Sequence, residues 1–319
     1  MSILFGPVPS RRLGRSLGID MVPYKTCSFN CVYCELGQTT CQTLSRESFL
    51  DLDLAVRELR ERLTQLKGEV DYITLAGSGE PTLNADLGEL VSRIKGLTHI
   101  PVAVLTNSSL LPDPEVRKEL QEVDLIVPSL DAVSQRIFEQ INLPVKGIKA
   151  GEILESLIAL RKEFHGQIWL EILFCRGIND HKAEVEQLYR AAEAIGPDQI
   201  QLNTVVRPPA LEGTLPCSAE RMQQISDIMS HHGGPKAKVV GQYVSGRGEA
   251  SQSRALRKRL LEMLKRRPCT LEDIARSAGL GHIELVKVLD ELVQSKSLQV
   301  RTHEGNTYYH IRAQKSKSK

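Results

Sequence analysis

Lys25-Thr26-Cys27-Ser28-Phe29-Asn30-Cys31-Val32-Tyr33-Cys34-Glu35 sets three cysteines in a C-x3-C-x2-C spacing. Three thiolates on one short loop can ligate three irons of a cubane cluster and leave the fourth iron open, and sulfur-only ligation suits iron–sulfur clusters or zinc. A structural zinc site wants four protein ligands, normally as two separated pairs. No second pair exists here, and Cys41, seven residues past Cys34, belongs to no C-x2-C unit. The plainer alternative is core packing, because positions i, i+4 and i+7 share one helix face. Pro23, Thr26, Ser28 and Asn30 are poor helix-interior residues and argue against such a helix. Cluster ligation is the expectation, with zinc and plain packing as the alternatives.

Outward from this loop, from about residue 16 to 230, short β-rich runs alternate with amphipathic segments. Strands are expected at Leu17–Asp20, Tyr72–Leu75, Val102–Leu105, Leu125–Val127, Ile168–Ile172 and Ile200–Leu202. Helices are expected at Phe49–Leu66, Ala85–Ile94, Glu115–Glu122, Ile148–Phe164, Ala183–Ile195 and Glu220–His231. Six β-then-α units in a row argue for a parallel sheet with outer helices, and near-continuous apolar strands fit a sheet covered on both faces. Six units are too few for an eight-fold barrel. Periodicity alone leaves an open partial barrel and a doubly wound sheet as alternatives.

Several polar residues fall at the ends of these strands. After the second comes Ala76-Gly77-Ser78-Gly79-Glu80-Pro81-Thr82, where glycines let backbone approach a ligand closely. Thr106-Asn107-Ser108 ends the third strand and Pro128-Ser129-Leu130-Asp131 the fourth; each polar side chain there would serve equally as a helix cap. Glu171 is an acid inside an apolar strand and needs a partner. It would face ligand if it points inward and a helix lysine if outward; inward is favoured. Asn203-Thr204 and Arg207-Pro208-Pro209 complete the ring, Arg207 reading as a grip for carboxylate or phosphate or as half of a surface salt bridge.

The chain divides into residues 1–232 as the core, 233–252 as a linker or connecting strands, 253–312 as a small module, and 313–319 as a disordered basic tail. In the module, helices are expected at Arg254–Lys265, from Thr270 to Ala278 with Asp273 completing a capping box, and at His282–Ser295, followed by a hairpin of Leu298–Thr302 and Thr307–Ile311. Three helices and a two-stranded wing make a winged-helix arrangement. The net charge of +2 hides an asymmetry. Residues 253–319 hold 15 Lys/Arg against 7 Asp/Glu, while residues 1–252 hold 26 against 32. A basic part suggests polyanion contact. The third helix, the usual groove reader, offers Glu284, Asp290 and Glu291 against Lys287 alone; the alternatives for the module are RNA binding through helix one, holding a peptide or protein substrate, and dimerisation. Seven cysteines, no apolar leader region and no run near the ~18 apolar residues of a membrane span point to a reducing cytoplasm, where clustered cysteines are metal ligands.

On these residues the triplet resembles the signature of the radical SAM superfamily, Tyr33 standing before the last cysteine as that family prefers. The resemblance implies a partial (β/α)6 TIM-like barrel, one [4Fe-4S] cluster on Cys27, Cys31 and Cys34, and S-adenosylmethionine chelated by the open iron. It implies that one electron breaks the sulfonium bond and releases a 5′-deoxyadenosyl radical that abstracts hydrogen from a substrate. Gly79 and Glu80 are similar to the family's Gly-Gly-Glu motif, which holds the methionine amino group, with Ser78 in place of its first glycine. Ser129 matches a position that reaches ribose or carboxylate. Tyr33, Asn107, Asp131, Glu171 and Asn203 are the further cofactor-side candidates. The run from Gly6 to Ser16, together with Asn203–Pro209, resembles prokaryotic iron–sulfur oxidoreductases distantly related to the wyosine-forming radical SAM enzymes of tRNA. The expected function is therefore radical modification of a substrate, RNA or a peptide, with an electron donor such as flavodoxin or ferredoxin and no membrane partner. The alternative is an iron–sulfur redox-sensing regulator acting through the winged helix. Cys41, Cys175, Cys217 and Cys269 are scattered singly, so one cluster is expected.

Overall fold

A computed structural model describes residues 3–10, 12–66, 68, 70–230, 237–240, 256–257, 260–261, 264, 268–278, 282–303 and 306–311. The core runs β1 (Leu4–Ser10), β2 (Gly14–Asp20), β3 (Thr26–Cys27), β4 (Cys41–Gln42), α1 (Leu52–Leu66), β5 (Tyr72–Ala76), α2 (Leu87–Leu97), β6 (Val102–Thr106) and α3 (Pro114–Glu119). It continues through β7 (Leu125–Pro128), α4 (Gln135–Asn142), α5 (Ala150–Glu163), β8 (Gln167–Phe174), α6 (Lys182–Ile195), β9 (Gln199–Thr204), α7 (Ala219–Met229) and β10 (Ala237–Val239). The large sheet is ordered β1-β2-β5-β6-β7-β8-β9-β10. Its first pair is antiparallel and every later pair parallel.

Strand alternation separates two apolar populations. Leu17, Ile19, Ile73, Leu75, Val102, Val104, Ile126, Ile168, Leu170, Ile172, Ile200 and Leu202 join the helices in the main core. The opposite parity, Tyr72, Ala103, Leu105, Leu125, Val127 and Trp169, packs around Leu13 in a small cluster of its own. Side chains of opposite parity point to opposite faces, so one face carries the helices and the other lines the inside of a partial barrel.

All six expected parallel strands form. Among the core elements β1, β3, β4 and α4 were not expected. In β1, an edge strand, Pro7 and Pro9 are tolerated because an edge need not donate on both sides. Strand β10 lies in the stretch expected as linker or connecting strands and extends the sheet beside β9.

The C-terminal part comprises β11 (Cys269–Thr270), α8 (Leu271–Ala278), α9 (His282–Gln294), β12 (Leu298–His303) and β13 (Asn306–Ile311). Its sheet is ordered β11-β13-β12, around a core that includes Leu260, Leu264, Ile274, Leu285 and Leu289. The expected capping box forms: Asp273 N–H donates to Thr270 Oγ1 and Thr270 N–H to Asp273 Oδ2, both at 3.1 Å. Residues 256–257, 260–261 and 264 are helical; the rest of the expected first helix and the 313–319 tail lie outside the described residues. Helix α9 packs against β1. Among the described residues no helix is long and apolar enough to cross a membrane.

Candidate cluster and cofactor site

The cysteine loop is held from two sides. On the first, Lys25 N–H donates to the Ser78 carbonyl at 2.6 Å and Glu80 N–H to the Thr26 carbonyl at 3.1 Å, which ties the loop to the segment after β5. The approach is so close that a Cβ on Gly79 would collide with the Thr26 carbonyl oxygen. Ser78, which stands where the family motif has glycine, donates from N–H at 2.5 Å and from its hydroxyl at 2.8 Å to the Asp20 carboxylate. Burial nevertheless pushes the Asp20 carboxyl up to about 6, against those two hydrogen bonds.

On the second side the loop sits on α4. The Phe29 ring meets Phe138 edge-on, with centroids 5.4 Å apart. Asn30 N–H donates to the Asn142 carbonyl and Val32 N–H to the Ile141 carbonyl, each at 3.0 Å. The last carbonyls of a helix have no partner within it; here the loop supplies one for two of them.

Between these supports each cysteine sulfur meets a nitrogen donor of its own. Asn107 Nδ2 lies 3.4 Å from Cys27 Sγ, Asn142 Nδ2 lies 3.4 Å from Cys31 Sγ, and Lys25 Nζ lies 3.2 Å from Cys34 Sγ. Burial pushes the Cys27 thiol up to about 11 and the Cys31 thiol up as well. Metal coordination removes such a proton outright. Among the described residues no three His, Cys, Asp or Glu side chains gather where a single metal ion could sit. Three thiols on one loop, each with a separate N–H donor, fit a cubane, whose irons occupy separate corners.

The other expected residues divide by exposure. Glu80 is buried and accepts from Thr82 N–H (3.1 Å), Thr82 Oγ1 (2.6 Å), Thr106 Oγ1 (2.7 Å) and Asn107 N–H (2.7 Å). Asp131 is buried and accepts from the Tyr33 hydroxyl (2.5 Å), Asn142 Nδ2 (2.8 Å) and Leu173 N–H (2.9 Å). Burial raises both carboxyls despite these donors. Asn107, Ser129, Gly79 and Glu171 are half-buried. Glu171 does face the barrel interior, where it pairs with Arg12 and accepts from the Asn203 amide. Among the described residues the amide oxygens of buried Asn203 and Gln201 have no hydrogen-bond partner.

The turn before β2 sits at the end of that strand opposite the cysteine loop. Arg12 reaches inward to Glu171, Arg15 bonds Asp71, and Arg11 lies outside the described residues. Of the two readings of Arg207, the salt bridge is the one that forms: Glu35 takes its guanidinium. Cys175 and Cys217 are drawn near one another by the bridge between Cys175 and Pro216. The sequence reading missed Lys25 and Asn142 as site residues. Lys25 adjoins the cysteine motif and could have been considered from that alone; Asn142 closes a helix that was itself unexpected.

A model of the family described as the Radical SAM superfamily matches residues 21–190. The chain is 36% identical over 308 residues to a protein named GTPase Obg of Brachyspira hyodysenteriae, covering 97% of this chain and 45% of that protein. It is 31% identical over 311 residues to a UPF0026 protein of Methanocaldococcus jannaschii, covering 97% of this chain and 96% of that one. Among solved structures it resembles a radical SAM methyltransferase from Sphaerobacter thermophilus with a TM-score of 0.55 and 19% identity, over 72% of this chain and 67% of that one. At that identity the likeness is one of fold.

Proposed function

The chain belongs to the radical SAM superfamily of enzymes, and from that premise we propose that Cys27, Cys31 and Cys34 hold three irons of its [4Fe-4S] cluster and leave the fourth for S-adenosylmethionine. The observation that carries this reading is the set of three sulfurs, each with its own N–H donor, at the strand ends of a parallel sheet. When bound, the cluster supplies one electron that cleaves S-adenosylmethionine to methionine and a 5′-deoxyadenosyl radical, the electron coming from an external donor, which we take to be a flavodoxin or ferredoxin.

The residues around it fall into two roles. Gly79, Asn107, Ser129 and Glu171 are half-buried on the inner side and are proposed to touch the cofactor or substrate. Among the described residues the Ser129 hydroxyl has no hydrogen-bond partner, which leaves it available to a ligand. Glu80, Asp131 and Tyr33 act as positioning residues. Glu80 fixes the backbone of Asn107, and Asp131 holds both Tyr33 and the Asn142 amide that meets Cys31. Asn203 orients the Glu171 carboxylate from the neighbouring strand.

The substrate is proposed to be a macromolecule, RNA or a peptide, and residues 253–312 a winged helix that presents it. The positive balance of that part and its contact with β1 through α9 support this. The regulator reading gains no support from the site or from the relatives. Anaerobically reconstituted protein, given S-adenosylmethionine and dithionite, is expected to yield 5′-deoxyadenosine and methionine, and the Cys27→Ala/Cys31→Ala/Cys34→Ala variant neither. Product from the triple variant, or none from the wild type with its cluster in place, would refute the assignment.

A further inference from the structure

We propose that Lys25 tunes the cluster's reduction potential, its buried ammonium donating to Cys34 Sγ and so stabilising the reduced cluster. The inference rests on the reading above that Cys34 is a ligand, and it adds a function for a residue outside the cysteine motif.

Lys25 is buried, 3% exposed, and its Nζ lies 3.2 Å from Cys34 Sγ. Among the described residues it makes no ion pair with a carboxylate. An ammonium taken out of water without an anion carries the penalty of a buried unpaired charge. Lysine is therefore a poor choice here unless the sulfur it faces is anionic, as a cluster thiolate is. The other two sulfurs meet neutral amides; among the described residues Cys34 is the cysteine of the three whose sulfur meets a cationic side chain.

The backbone shows how the placement is enforced. Lys25 has a φ of 59°, a conformation few non-glycine residues adopt. Its N–H donates to Ser78 and its carbonyl accepts from Thr40 N–H at 3.2 Å and Cys41 N–H at 3.1 Å. Bonds on both sides of the residue hold it in the left-handed region, and its side chain turns back toward the loop that follows.

Reduction of the cluster takes one electron from the low-potential donor. It makes and breaks no bond to protein and makes the thiolate-ligated cluster one charge more negative. A fixed cation beside one ligand sulfur favours the more negative form, so the midpoint potential rises; hydrogen bonds to the sulfurs and local charge are recognised levers on such clusters.

The test is an EPR-monitored redox titration of the full chain, reconstituted anaerobically, with iron and sulfide content measured in parallel. Lys25→Met and Lys25→Gln are expected to shift the midpoint to more negative values, while Lys25→Arg, which keeps the charge, stays near the wild type. Gln, able to donate like the neighbouring amides, separates charge from hydrogen bonding and replaces Met if Met fails to hold a cluster. Equal midpoints for the Gln and Arg variants at equal iron content would overturn the proposal while leaving the cluster assignment intact. A wild type that shows no reducible cluster would instead sink the assignment and this proposal with it.

Discussion

A methyl group added at Gly79 would meet the Thr26 carbonyl, which is itself fixed by the Glu80 N–H. Gly79→Ala must therefore push the cysteine loop away from β5. The expected cost is about 1–3 kcal/mol, the range for overpacking, read as a lowered urea midpoint, with iron retention lowered alongside. Asp20 gives a second residue-level expectation. Its carboxyl titrates at about 6 when folded instead of its ordinary 3.8, so between those values the folded state binds more proton than the unfolded one. Stability then falls as pH rises from about 4 to about 6 and levels off above. Asp20→Asn, which keeps an acceptor for Ser78, is expected to flatten that slope in denaturation curves taken across the window. At this scale the cysteine triplet was open to reading because its spacing is itself the chemistry. Lys25 and Asn142 were not, because which side chain turns toward a sulfur depends on a left-handed backbone and a helix end that local pattern does not set.

Among the elements, α4 is the one on which the cysteine loop depends, and its own start is secured from elsewhere. Ser134 occupies the N-cap and makes no side-chain cap hydrogen bond. Glu184 of α6 serves instead, accepting from Val133 N–H at 2.7 Å, from Ser134 N–H at 3.0 Å and from the Ser134 hydroxyl. Glu184→Ala leaves those half-buried donors without their acceptor. The expected loss is about 1–3 kcal/mol, and a chelator should strip iron from the variant faster than from the wild type. The parallel strands were legible because a strand covered on both faces reads as a continuous apolar run, as Leu125-Ile126-Val127 does. The prolines of β1 hid an edge strand. Helix α4 is too short for its periodicity to stand out between β7 and α5, and β10 has only three residues with which to declare itself.

At the scale of the whole molecule, β1 and β10 are, among the described residues, the two outer strands of the large sheet. Helix α9 lies against β1, and its Asp290 stands near the Arg207–Glu35 pair, one residue from Cys34. Burial pushes the Asp290 carboxyl up, Arg207 pulls it down, and Glu35 pushes it up again. Arg207→Ala removes the cation shared by two carboxylates, so amide exchange in α9 is expected to quicken in a hydrogen–deuterium measurement. The helices and hairpin of the C-terminal part could be anticipated from capping and alternation. Where that part rests on the barrel could not, since nothing local ties Asp290 to Glu35. The same long reach governs how the protein is made. The thiols of residues 27 to 34 leave the ribosome well before Asn107 and Asn142, the amides that meet two of them. A nascent chain halted short of residue 142 carries every cysteine of the motif but lacks the amide that meets Cys31, so a chain truncated there is expected to retain less iron on anaerobic reconstitution than the full chain.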